Sequence, residues 1–146
     1  MANYPTGTYF SGPVKLGPGS MLLSGDQGGI PATAKTLTYE ESNGQHYILD
    51  SGTGVVITLP KATQGWKCRF TIGKLFTTDY VITAAATGTL EGSLIAAGAV
   101  VDCAAKDTLT IQDGVENLGD FYDFWSDGTS IFVTGYSLTG TSATPG

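Results

Sequence analysis

The chain has 146 residues, of which 41% are hydrophobic and 14% charged, with a formal net charge of −6. This length suits one domain, the apolar content excludes a wholly disordered chain, and the acidic balance argues against a general nucleic-acid binder, which needs clustered cations for phosphate. No run of about 18 apolar residues occurs, so no membrane-spanning helix is expected.

Residues 1–31 are crowded with backbone breakers: Gly7, Gly12, Gly17, Gly19, Gly25, Gly28 and Gly29 alternate with Pro5, Pro13, Pro18 and Pro31. A long helix or a regular central strand is excluded there. The segment nevertheless carries Tyr4, Tyr9, Phe10, Leu16, Met21 and Leu22. It is too broken to build its own core, so it reads as an extended arm that frays or orders against a neighbouring subunit. The start has neither a basic region nor an apolar stretch of the secretory kind. A reducing site of synthesis and free thiols at Cys68 and Cys103 are therefore expected.

From Thr36 the pattern becomes short runs of period two. Thr36–Glu40 and His46–Asp50 read as strands, with Ser42-Asn43-Gly44 between them as a hairpin turn. Gly54–Leu59 follows and is ended by Pro60. The clearest strand is Trp66–Gly73, with Trp66, Cys68, Phe70 and Ile72 on one face and Lys67, Arg69 and Thr71 on the other. Asp79–Ala85, Gly98–Cys103, Asp107–Gln112, Asp120–Ser126 and Thr129–Leu138 complete the set. Asp113-Gly114 and Asp127-Gly128 supply turns. The expectation is an all-β chain: an antiparallel β-sandwich or jelly roll of about eight to nine strands, with a closed barrel less favoured. The divisions are an arm at 1–35, a β-sandwich domain at 36–138 and a small polar tail at 139–146.

No reactive centre stands out. The single histidine, His46, has no Cys or Asp at metal-ligand spacing, and no G-x-S-x-G elbow is present. Cys68 and Cys103 lie on alternating strands among apolar neighbours and read as small buried hydrophobes. Asp102, Asp107, Asp113, Glu116, Asp120, Asp123 and Asp127 are concentrated in one stretch. A calcium site or a pair of glycosidase carboxylates could be drawn from them. No calcium-loop spacing is present, however, and these acids read chiefly as solvated loop residues. The cations Lys61, Lys67, Arg69 and Lys74 cluster instead near the clearest strand. A basic strand and an acidic end in one chain can be complementary between subunits or to a larger partner. In Phe121, Tyr122, Phe124 and Trp125 the alternation puts Tyr122 and Phe124 on one side, and Phe121 and Trp125 with Asp123 on the other. One pair must then meet an interface, the arm or a sugar.

Several stretches resemble the capsid decoration, or cement, proteins of tailed bacteriophages. They are Leu49-Asp50-Ser51-Gly52-Thr53-Gly54-Val55-Val56-Ile57-Thr58-Leu59-Pro60 with Lys61-Ala62-Thr63-Gln64-Gly65, and then Arg69-Phe70-Thr71-Ile72-Gly73. Asp107-Thr108-Leu109-Thr110-Ile111 and the ending Thr139-Gly140-Thr141-Ser142-Ala143-Thr144-Pro145 complete them. The resemblance runs from about residue 36 to the end and leaves out the arm. It implies a homotrimer of β-sandwich or jelly-roll subunits on the outer capsid surface, clamping neighbouring major capsid proteins after assembly in a host cytoplasm. It brings no catalytic residues, cofactor or metal.

The expected role is therefore structural and not enzymatic. Self-association and the major capsid protein are the expected partners, with neither nucleic acid nor membrane. A tail, fibre or head-fibre adhesion module, binding glycans through Trp125 and Phe121, is the alternative, and a hydrolase or free carbohydrate-binding module is the third. The expected interface residues are Tyr4, Tyr9, Phe10, Leu16, Met21, Leu22, Lys67, Arg69, Phe121 and Trp125.

Overall fold

A computed structural model describes residues 33–86 and 89–146. The arm residues Tyr4, Tyr9, Phe10, Leu16, Met21 and Leu22 lie outside the described residues. Eleven strands and one helical turn follow in order: β1 (Lys35–Thr36), α1 (Tyr39–Ser42), β2 (Gln45–Leu49), β3 (Val56–Thr58), β4 (Lys67–Ile72), β5 (Tyr80–Thr83), β6 (Leu90–Ala96), β7 (Ala99–Asp102), β8 (Thr108–Ile111), β9 (Phe121–Ser126), β10 (Ile131–Ser137) and β11 (Ala143–Pro145). They form a five-stranded sheet, β1-β3-β5-β8-β11, and a six-stranded sheet, β2-β4-β9-β10-β6-β7. The chain is all-β, but the sheets are mixed rather than antiparallel.

The parallel pairs arise because successive strands change sheets instead of turning back as hairpins. β1, β3 and β5 run parallel in the smaller sheet. β2 and β4 run parallel in the larger one. The chain thus winds between two layers, each crossover meeting the parallel-strand requirement for a long connection. From β7 onward antiparallel pairing prevails, except that β10 lies parallel to β6.

Three local expectations are corrected. Thr36–Glu40 is not one strand: Thr38 caps α1, its Oγ1 accepting from the Glu41 N–H at 3.3 Å. The acidic first turn suits a helix start, and this local capping outweighs a short alternation. Ser42-Asn43-Gly44 is consequently the exit from α1 and not a hairpin, since the Asn43 N–H donates to Tyr39 O and the Gly44 N–H to Lys67 O. The tail at 139–146 is not a loose end: β11 pairs with β8, and the Asp107 and Thr108 N–H groups both donate to Gly146 O. Ser142 and Ala143 are buried there, being small enough to pack despite a polar-looking neighbourhood.

β6 escapes the alternation pattern because Gly92 and Ser93 interrupt it. Gly92 sits at φ +111°, and a Cβ there would stand 2.3 Å from Val133 O on β10. Glycine is what lets the two backbones approach.

One core joins both sheets. Ile57, Leu59, Tyr80, Ile82, Leu109 and Ile111 from the smaller sheet belong to the same buried cluster as Tyr47, Leu49, Phe70, Ile72, Leu94, Tyr122, Phe124 and Val133 from the larger. Phe70 stacks on Tyr47 at 5.4 Å and meets Phe124 edge-on at 5.7 Å. Each such ring contributes about 1.5–3 kcal/mol through burial. No helix among the described residues is long and apolar enough to cross a membrane.

Candidate functional site

The larger sheet turns its other face outward, and the registers arrange that face in three ranks. In the first rank Lys67 stands opposite Trp125, Trp125 opposite Phe132, and Phe132 opposite Glu91. The second runs His46, Arg69, Asp123, Thr134, Ser93, Asp102. The third runs Ile48, Thr71, Phe121, Tyr136, Ile95, Val100. Directly opposed side chains on a sheet sit close enough to interact.

The middle of the face is held by charge and stacking. Arg69 Nε and Nη2 donate to the two carboxylate oxygens of Asp123, each at 2.6 Å. These bonds hold the guanidinium more firmly protonated than usual, and the same group lies 4.7 Å over the Phe121 ring. Trp125 and Phe132 stack at 5.7 Å with an interplanar angle of 18°. His46 Nε2 is hydrogen-bonded to Thr71 Oγ1 at 2.8 Å.

The face is open to solvent although it is rich in large apolar groups. Val100 is 70% exposed, Tyr136 43%, Trp125 42% and Ile95 39%. On the β2-β4-β9 side lies an open groove of about 370 Å³, lined by His46, Lys67, Arg69, Asp123 and Trp125 among others. Lys67, Glu91 and Asp102 have no ion-pair partner among the described residues.

Lys67, Arg69, Phe121 and Trp125, expected as interface residues, thus share one face on two adjoining strands. The structure adds Phe132, Tyr136, Ile95 and Val100, which the sequence reading did not name. Phe132 and Tyr136 were visible as the outward partners of Ile131, Val133 and Gly135 on a single alternating strand. Ile95 was hidden with the rest of β6.

The nucleophilic candidates are chemically quiet. Burial pushes the Cys68 thiol far up, with Asp123 adding to the effect. Burial, reinforced by Asp102, pushes Cys103 up to about 11. Both are free and buried, and a protonated thiol is neither a good nucleophile nor a metal ligand.

The acids serve the backbone. Asp127 accepts from the Thr129 and Ser130 N–H groups at 2.8 and 2.9 Å. Asp102 accepts from the Ala104 N–H at 2.9 Å. Two acids expected as solvated are instead buried. Glu116 Oε1 accepts from the Phe76 N–H at 2.8 Å, and Asp120 accepts from the N–H groups of Leu138 at 3.1 Å and Asn117 at 3.3 Å. Each satisfies loop donors that would otherwise be buried without partners. Among the described residues no three His, Cys, Asp or Glu side chains converge on a metal position.

Comparison of the chain with protein-family models, with curated proteins and with solved structures found no match in any of the three.

Proposed function

We propose that this chain is a structural virion protein of the capsid decoration kind, binding the outer capsid surface and stabilising contacts between major capsid proteins. The observation that carries the reading is the outward face of the six-stranded sheet. It offers a broad area of exposed aromatic and aliphatic groups around the Arg69–Asp123 clasp, while burial holds the Cys68 thiol beneath it in the protonated form. Such a surface recognises by contact. Exposed apolar patches rimmed by polar groups mark interaction sites. The capsid partner and a homotrimeric assembly come from the resemblance of residues 49–65, 69–73, 107–111 and 139–145.

In this reading the two sheets are the layers of a β-sandwich, as their shared core supports, and a jelly roll is its finer form. The mechanism is linkage. A protein that binds only the finished shell stabilises that shell in proportion to its occupancy, without covalent chemistry. Quantitative mass spectrometry of purified particles tests the proposal. A ratio to the major capsid protein near one or one third supports it, and absence from particles overturns it.

A second reading rests on the Trp125–Phe132 stack beside the groove. An exposed indole next to Lys67, Arg69 and Asp123 suits a pyranose ring, whose apolar face stacks while its hydroxyls meet the charges. The chain would then be a tail or fibre adhesion module. Few copies per particle, with glycan binding lost in Trp125→Ala, would favour it.

A further inference from the structure

We propose that the outward face of the six-stranded sheet is self-complementary and joins a second copy of this chain about a twofold axis. The axis runs along the strands, in the seam between β9 and β10. The face is the one on which the capsid reading rests, so the pairing describes the free chain, and binding to a capsid protein through that face would displace the second copy.

The argument is a matter of register. The sheet order β2-β4-β9-β10-β6-β7 has three strands on each side of that seam. A twofold axis along the seam lays β9 on β10, β4 on β6 and β2 on β7 of the second copy, and it returns each rank to itself. In the first rank Lys67 then meets Glu91 of the second copy, and Trp125 meets Phe132. In the second, His46 meets Asp102. In the third, Ile48 meets Val100, Thr71 meets Ile95 and Phe121 meets Tyr136. Every contact is formed twice, as a twofold interface requires.

Charge selects this axis over its rival. An in-plane axis across the strands would lay Arg69 on Arg69, Asp123 on Asp123 and Asp102 on Asp102. Like charges brought face to face cost several kcal/mol. The seam axis brings no like charges together, and it supplies a partner to Lys67 and Glu91, neither of which has an ion pair within the described chain.

Size agrees. Six strands about 4.8 Å apart and six residues at about 3.3 Å each span roughly 30 by 20 Å, or about 600 Å² in plane. With side-chain relief this approaches the roughly 800 Å² per partner of a standard interface.

The test uses the full chain in solution. Sedimentation equilibrium is expected to give two chains, or six if each subunit of a threefold assembly also pairs. A mass of one or three chains overturns the proposal. Lys67→Glu alone and Glu91→Lys alone are each expected to weaken association at least about tenfold, and the double reversal to restore it. Unchanged association in the single variants, or no rescue in the double, overturns it. The wild-type protein gives an independent reading. Carbodiimide, which joins amine to carboxylate without a spacer, is expected to link Lys67 of one isotopically labelled chain to Glu91 of an unlabelled one. Within one chain these residues are three strands, about 14 Å, apart. Absence of the inter-chain link overturns the proposal even if the variants fail to fold. Particle copy number is a separate measurement, so failure here leaves the capsid reading standing.

Discussion

Arg69 and Asp123 stand directly opposite each other on β4 and β9 and are joined by two parallel hydrogen bonds of 2.6 Å. Fork-to-fork pairing fixes orientation as well as attraction. Arg69 also covers Phe121, so one side chain ties together two neighbouring ranks of the face. Arg69→Lys keeps the charge and loses the fork. Both partners are substantially exposed, so the expected cost is about 0.5–1 kcal/mol. The urea midpoint reads it, and raising the salt concentration is expected to shrink the difference.

The indole N–H of Trp66 donates to Ser42 Oγ at 2.9 Å, with both residues fully buried. Ser42 in turn donates to Thr38 O, joining α1 to the core. Ser42→Ala is expected to cost about 1–3 kcal/mol, because it strands a buried donor. Urea denaturation followed by tryptophan fluorescence measures it. A cost near zero would mean that the indole finds another acceptor.

Cys68 and Cys103 are buried and held protonated. A disulfide-exchange reagent at neutral pH is expected to label neither in the native protein and both in concentrated urea. Mass spectrometry counts the adducts. Fast native labelling would place a thiol at the surface.

The Asp127 carboxylate is lowered below its ordinary value of 3.8 by the Ser130 and Thr129 N–H bonds. A lowered folded-state pKa stabilises above the unfolded pKa and is lost as pH falls through the folded one. The turn between β9 and β10 is therefore expected to weaken from about pH 4 downward. Asp127→Ala should flatten that part of the stability profile, as read by thermal melts between pH 2 and 6. An unchanged acid limb would assign the effect to other carboxylates.

The strongest alternations were legible. Trp66–Gly73 and Asp120–Ser126 divide in the structure as their residues divide in the sequence, because a half-buried strand must alternate. Lys67, Arg69, Phe121 and Trp125 consequently fell on one outward surface. Pairing direction was not legible. Nothing in Gly54–Leu59 tells whether the strand continues a hairpin or crosses to the other layer, since both need the same buried face. β6 was lost because Gly92 serves the β10 backbone rather than the pattern. β11 was lost because Ser142 and Ala143 are buried by smallness and not by hydrophobicity. Glu116 and Asp120 read as loop acids because burial of a carboxylate depends on donors brought from far along the chain.

β10 alone joins the β2-β4-β9 half of the larger sheet to the β6-β7 hairpin. The hairpin is made before β9 and β10, yet its place in the sheet is created only when Ile131–Ser137 has arrived. A growing polypeptide therefore has no strand beside the outer β6 edge until nearly the whole sequence has been synthesised. The basic and acidic halves of the outer surface come together in that last event, so a chain truncated before residue 131 has neither a closed interior nor a complete surface to offer.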